Sequence, residues 1–402
     1  MSFFGNGKEE VALLLDIGNG SITSSLVLFR QDALPEFLYC VQMPFTIPFK
    51  PEGARLVENM FVLLDSTLDA TIKDGFKGKY WKNRRTGISK VLIAFSSPWF
   101  LSKTKHIQIS KEKEFFITKS FLDDIAQKEK EMFIKELKEE NSSVTNESSI
   151  VIEKSIVHTK INGYTLKKSI GRKTNKFDAF LCMSIVESRI VEKIKDIILK
   201  YTHVDLHNIY MHTFPLVSFT VIRDLKQIPD DFILMDITSE VTDLTLVQNN
   251  IISATSTMPS GKNFIVRQIA KTLGVSTEIG ESTINLFIAQ KLDEPMRLKV
   301  EAILLDVEKE WSIYLENALL ELSVEMSLPK SICITADSDI ISLYSNFLNL
   351  SKTDATSAFR DGLNIIHINR ENFIDLYNSD PTIKTNDFIL ILAIFYNKTL
   401  RD

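Results

Sequence analysis

Residues 11–29 read VALLLDIGNGSITSSLVLF. Val11 to Ile17 is almost continuously apolar, the pattern of a strand buried on both faces. It breaks at Gly18-Asn19-Gly20-Ser21 and resumes as Ile22 to Phe29, which predicts strand, tight turn, strand, with Asp16 at the end of the first strand. Residues 232–247, FILMDITSEVTDLTLV, repeat the pattern: a buried strand ending at Asp236, a turn at Thr238 to Val241, then a second strand. Two copies with an aspartate at the same place predict two related lobes.

Outward from these copies the chain alternates strand and helix, the α/β pattern. Helical spacing runs through Val62, Leu63, Leu68 and Ala70, and Val91 to Phe95 is another buried strand. Thr118 is an N-cap for a long helix with Phe121, Ile125 and Phe133 near one face. Residues 141–149 are a polar loop, Asn162-Gly163 a hairpin turn between strands, and Lys176 to Ser184 a further strand. Helices are predicted over 186–200 and 215–225. The second copy leads through a hairpin at Asn249-Asn250 to strand 251–258, then a helix from Lys262 closed by Gly274. Helical stretches 277–290 and 294–327, strand 331–335, a helix from Ile340, strand 364–368 and an apolar helix, 387–398, complete the chain.

The chain has 402 residues, 44% hydrophobic and 25% charged, with net charge −5. That length needs two lobes or several subdomains, and that charge gives no basis for binding nucleic acid. The 26 phenylalanines are core filling. Cys40, Cys182 and Cys333 are far apart in apolar contexts and read as reduced core residues. Met1 to Glu10 has no apolar signal core. Phe388 to Tyr396 falls short of the ~20 residues that span a bilayer. A reducing cytoplasm is the expected compartment.

Set in order, these segments resemble the FtsA/PilM group of actin-like proteins. Val11–Phe29 resembles that family's first phosphate loop and Phe232–Val247 its second. Val91–Glu131 and Ile152–Arg172 resemble the two halves of its small inserted, SHS2-like subdomain. Thr257-Met258-Pro259-Ser260-Gly261 resembles its stretch leading into a helix, and Gly280-Glu281 sits where the family has Ala-Glu. The resemblance implies an actin-like two-lobed ATPase fold, built on ribonuclease H-like repeats, with an inserted α+β subdomain. The implied division is a first lobe at 1–83 and 173–225, an insert at 84–172, a second lobe at 226–380 and a closing helix at 381–402.

Such proteins clamp ATP and Mg2+ between two hairpin turns, where glycine lets backbone N–H groups approach phosphate. The resemblance therefore implies that Asp16, Gly18, Asn19, Gly20 and Ser21 hold phosphate and metal. Asp236, Thr238 and Asp243 would face them, with Gly261 and Glu281 nearby, and Asp16 and Asp236 would hold the magnesium through water. The chain departs from the family at several places. The second turn has lost its glycines, and Glu240 is expected to carry a negative charge toward the phosphates. The adenine-side loop reads Thr335-Ala336-Asp337-Ser338-Asp339, and lysines of the family are Ser21 and Asn285 here. ATP binding without rapid turnover is expected. A scaffold that binds no nucleotide, and a sugar-kinase-like enzyme, are the alternatives.

The implied role is an adaptor in cell division or pilus assembly, cytoplasmic and peripheral to the inner membrane. Its implied partner is a membrane-protein peptide or a filament protein, with self-association open and membrane reached only through the partner. Other motifs carry blander readings. His203, Asp205, His207 and His212 read as surface or capping residues, Ser96-Ser97-Pro98-Trp99 as a strand-ending turn with a packing tryptophan, and 388–396 as a core helix.

Overall fold

The computed structural model describes residues 9–48, 53–82, 87–140, 149–165, 169–323, 327–337, 340–350 and 362–399. The chain enters through antiparallel strands β1 (Glu9–Ile17), β2 (Ser21–Arg30) and β3 (Glu36–Pro44). Helix α1 (Gly53–Gly75) follows, then β4 (Ile88–Phe95), parallel to β1. An excursion comprises β5 (Leu101–Phe116), α2 (Lys119–Glu140), β6 (Ser149–Ile161), β7 (Tyr164–Thr165) and β8 (Lys173–Glu187). The chain returns through α3 (Ser188–Tyr201), β9 (Ile209–Thr213) and α4 (Phe214–Ile222).

The second half holds β10 (Phe232–Ile237), β11 (Thr242–Gln248), β12 (Ile251–Met258), α5 (Lys262–Leu273), α6 (Thr277–Ile288) and α7 (Glu294–Leu322). It continues with β13 (Ser331–Ala336), α8 (Ile341–Leu350), β14 (Asn364–His367), β15 (Asn378–Ser379) and α9 (Asp387–Thr399).

Two sheets share one plan. The first runs β15-β3-β2-β1-β4-β9 and the second β12-β11-β10-β13-β14. In each, three antiparallel strands are followed by two parallel ones, so β1 and β10 occupy equivalent central places. The alternation within β1 explains its continuous apolar run. Leu13, Leu15 and Ile17 face α1 and α3 in one core cluster, while Ala12 and Leu14 face α4 and α9 in another. That second cluster also takes in Phe232, Leu234 and Cys333 of the other sheet, so a single core joins the lobes. Helix α9 is buried from Ile389 to Asn397 without a break, which is why its sequence is apolar all round.

The third sheet, β5-β8-β6-β7, is the insert, with α2 across one face. Its limits differ from the expected 84–172. Strand β4 belongs to the first sheet, and β8 pairs along its length with β5 and β6, so the inserted sheet runs from Leu101 to Glu187. Strand composition is the same in either sheet; only pairing assigns it. Similarly, β15 adds to β3 of the first sheet rather than to the second lobe. Strand β3 itself, half-buried and irregular in pattern, is not among the elements read from sequence. The turns follow their residues: Asn162 and Gly163 have φ of 50° and 85°, and Asn249 and Asn250 of 51° and 61°.

Candidate functional site

The two strand-ending turns meet face to face. In the first, the Gly18 N–H donates to Ser21 O at 3.1 Å, and the Trp99 indole N–H donates to Gly18 O at 2.9 Å. Gly20 is demanded by its neighbour: a Cβ there would lie 1.6 Å from Ser239 Oγ of the second turn. In the second turn, Thr238 replaces glycine and closes the loop with its own side chain, donating to Val241 O at 2.7 Å.

Asn19 joins the turns. It is 1% exposed. Its Oδ1 accepts from the backbone N–H groups of Ser239 and Glu240, each at 3.0 Å. Its Nδ2 donates to Ser97 O at 2.5 Å and to Thr238 Oγ1 at 2.8 Å. The donors that a phosphate oxygen would recruit from the second turn are thus satisfied by a side chain of the first. A second cross-link lies alongside: Ser97 Oγ donates to Asp243 Oδ1 at 2.8 Å.

The amino end of α5 is engaged as well. Lys262 N donates to Thr238 O at 3.0 Å and Asn263 N to Ser239 O at 2.7 Å. Gly261 permits this approach, since a Cβ would sit 2.3 Å from Thr238 O. Glu240 does not carry its charge toward the cleft, contrary to the expectation from sequence. Arg267 holds both its oxygens, at 3.1 and 2.8 Å, and the Asn263 amide donates to it at 2.7 Å. Helix α5 lies against the turn and supplies the compensating cation.

Three buried carboxylates stand behind the turns. Asp16, Asp236 and Asp243 are 4%, 2% and 5% exposed. Burial, helped by the charge of Asp337, pushes Asp16 up to about 7. Burial and then Asp243 raise Asp236 well above its usual range, and burial raises Asp243. Thr335 Oγ1 donates to Asp236 Oδ1 at 2.7 Å, and Thr257 Oγ1 to Asp243 Oδ1 at 2.5 Å. Asp16 Oδ1, Asp236 Oδ2 and Asp243 Oδ2 have no hydrogen-bond partner. Among the described residues no group of three metal-ligating side chains converges.

The cavity between the turns is bounded by Asp16, Gly18, Asn19, Gly20, Ser21 and Thr238, together with Ser239 and Asp337. In this arrangement the space left between the turns is about 30 Å³, and Asn19 already occupies the backbone donors of the second turn. Of the residues singled out in the sequence, Asp236 and Asp243 sit just behind this cavity and Gly261 touches the second turn. Glu281 instead pairs at 3.4 Å with Lys262, the first residue of α5. Ser97, Ser239 and Arg267 were not among the expected site residues, because each acts through a partner distant in sequence. Ser338 and Asp339 lie outside the described residues.

A larger groove, about 490 Å³, opens at the seam between the insert and the first lobe. Ile152 and Ile156 of β6 form one wall; Leu216, Phe219 and Thr220 of α4 and Phe395 of α9 form the other. At its base Glu153 accepts from Thr213 Oγ1 at 2.7 Å and meets His212 Nδ1 at 3.0 Å. Beyond Lys160 and Ile161, which pair with β7, the outer edge of β6 has no strand beside it among the described residues. His207 is exposed and the histidines do not converge. Trp99 packs as expected in the first lobe's core. No helix among the described residues is long and apolar enough to cross a membrane.

No family model matches the chain, and neither does any curated protein. Solved structures do. A chain of a PilM-PilN type IV pilus biogenesis complex superposes with TM-score 0.59 at 14% identity, covering 96% of this chain and 97% of its own. A protein of unknown function with actin-like ATPase fold, from Bacteroides thetaiotaomicron, gives 0.42 at 10% identity, covering 98% and 99%. MreB 5 of Spiroplasma citri bound to AMPPNP gives 0.37 at 10% identity, covering 98% and 97%. With its duplicated sheets, paired turns and joining core, this chain has the actin-like ATPase fold.

Proposed function

We propose that this chain is an actin-fold scaffold whose lobes are held together by its own Asn19, and that it works by presenting surfaces to a protein partner without nucleotide turnover. The observation that carries this is the carboxamide of Asn19, which takes the two backbone donors of the second turn and Thr238 Oγ1 across the cleft, and Ser97 O in its own lobe. A group that satisfies itself there leaves nothing for a phosphate to gain.

The partner reading rests on the seam groove. A trough lined by Ile152, Ile156, Phe219 and Phe395 together with the polar Lys154, Arg223 and Glu153, beside a strand edge unpaired among the described residues, suits an extended peptide, which would add to β6 through main-chain hydrogen bonds. A chain of a PilM-PilN type IV pilus biogenesis complex superposes on this chain, which supports a protein partner; a peptide of a membrane protein is the proposed ligand class. The proposed place is the cytoplasmic face of the membrane, in pilus or division machinery.

Calorimetric titration of the full chain with ATP and magnesium tests the cleft reading. No heat is expected up to millimolar nucleotide. Micromolar binding would overturn it and restore a nucleotide-gated adaptor.

A further inference from the structure

The inserted sheet ends in an edge that neither the cleft nor the groove uses. Strand β8 runs 15 residues between this edge, at Lys173, and the base of the insert, at Glu187; at the usual rise per strand residue that is about 45 Å. Three segments meet at the far end. Phe116 closes β5 opposite Lys173. Ile117 N donates to Arg172 O at 2.9 Å and Gly171 N to Ile117 O at 2.8 Å, which sets Ile170 beside them. Asn162 N donates to Lys176 O at 3.0 Å, which brings the β6–β7 hairpin and Tyr164 to the same end.

The side chains there are unusual. Phe116 is 61% exposed, Ile170 58% and Tyr164 77%. Every other described phenylalanine is at least partly covered. A lone exposed apolar residue is ordinary, but three large ones at one end of a sheet mark a contact surface. The scaffold beneath them is firm: Ile117 and Phe177 are buried, and the rings of Phe115 and Phe121 pack 5.1 Å apart.

Charge says what the surface meets. The described residues between 160 and 176 carry four basic side chains (Lys160, Arg172, Lys173, Lys176) and no acidic one, in a chain whose net charge is −5. Lys111, Lys113 and Lys119 lie exposed on the neighbouring strand and helix, mixed with Glu112, Glu114, Asp123 and Asp124. Glu114 pairs with Lys173 at 2.8 Å. Among the described residues Arg172 and Lys176 have no acidic partner, and they give this end its excess of positive charge. Exposed aromatic and branched side chains beside lysine and arginine are the composition of a membrane-interface contact.

We infer that the far edge of the inserted sheet is a lipid-contacting surface, in which Phe116, Ile170 and Tyr164 enter the interface of an anionic membrane while Arg172 and Lys173 meet its headgroups. The remaining acidic body is repelled by the same membrane, so the contact also fixes which way the protein faces. The inference does not depend on the state of the cleft or on the peptide groove.

Flotation of the full chain with vesicles tests it. Neutral phosphatidylcholine vesicles should float without protein. Vesicles with about one third phosphatidylglycerol should carry it, and salt on the order of 0.5 M should release it. Phe116→Ser with Ile170→Ser, and separately Arg172→Glu with Lys173→Glu, should each lower the bound fraction about tenfold or more with unchanged melting temperature. Absence of co-flotation, equal binding to neutral vesicles, or indifference to both double substitutions overturns the inference. So does capture of a second protein through these residues without vesicle binding, which would mark a protein interface instead.

Discussion

Asn19 Oδ1 lies 3.0 Å from the backbone nitrogen of Ser239, the side chain of one lobe's turn filling the donor pocket of the other's. Because Glu240 N shares the same acceptor at 3.0 Å, a neutral amide performs the task for which this geometry is otherwise suited, holding an anionic oxygen. Removing it leaves two partly buried N–H groups and two acceptors unmatched. Asn19→Ala should cost about 2–4 kcal/mol of stability, since each orphaned buried polar group costs about 1–3 kcal/mol and some will find water. Small-angle scattering should show a larger radius of gyration for the variant. An unchanged melt and an unchanged radius would mean the lobes are joined by the shared core alone.

Gly20 gives an independent check on the same contact. A methyl at this position would overlap Ser239 Oγ, so Gly20→Ala should destabilise by about 1–3 kcal/mol as an overpacking change. Ser239→Gly should restore most of that loss in the double variant. Two additive penalties in a thermal-melt cycle would place the turns apart in solution.

The pair of Glu240 and Arg267 is buried, with side chains 9% and 16% exposed. Arg267→Ala strands the carboxylate and should cost about 3–5 kcal/mol, while Glu240→Gln with Arg267→Leu should lose much less. Denaturant midpoints of the two variants give the comparison directly.

Asp16 predicts a pH dependence with a definite sign. Its carboxyl is raised to about 7 when folded, above its value in the unfolded chain. Between the two values the folded state holds more protons than the unfolded one, so stability falls as pH rises through that window. Asp236 shifts the same way and adds to the slope. Asp16→Asn, always neutral, should melt higher than the parent at about pH 8 and lose that advantage near about pH 4. A parent melting temperature that rises from acid to alkaline pH would contradict these assignments.

For the groove, panning the full chain against displayed extended peptides should return ligands whose binding Thr220→Arg abolishes without changing the melt. Thr220 lines the trough from α4 and is only half-buried, so an arginine there fills the space and leaves the core alone. Ligands indifferent to that change would move the docking site elsewhere.

The fold was legible because burial on two faces writes itself into composition. Val11 to Ile17 and Phe232 to Ile237 could be read as central strands, and their aspartates aligned the two copies. Strand β3, half-exposed, carries no such pattern, and the pairing of β8 with the insert depends on contacts that composition does not encode. At the site, Asp16 and the glycines announced a turn built for close approach, but what approaches is Ser239. Glu240 looked like an unfavourable charge because its partner, Arg267, lies on another element and gives no local signal.

Helix α9 bears on how the protein comes to be made. Its side chains fill the face of the first sheet beneath Ala12 and Leu14, and Tyr396 donates to Glu10 of β1 at 2.5 Å. Strands β1 and β2 are therefore made long before α9, the helix that helps to cover one face of their sheet. At about 5–20 residues per second, nearly four hundred residues leave that face open for tens of seconds. The first lobe closes only once α9 has emerged, and until then its apolar face is open to water or to a chaperone.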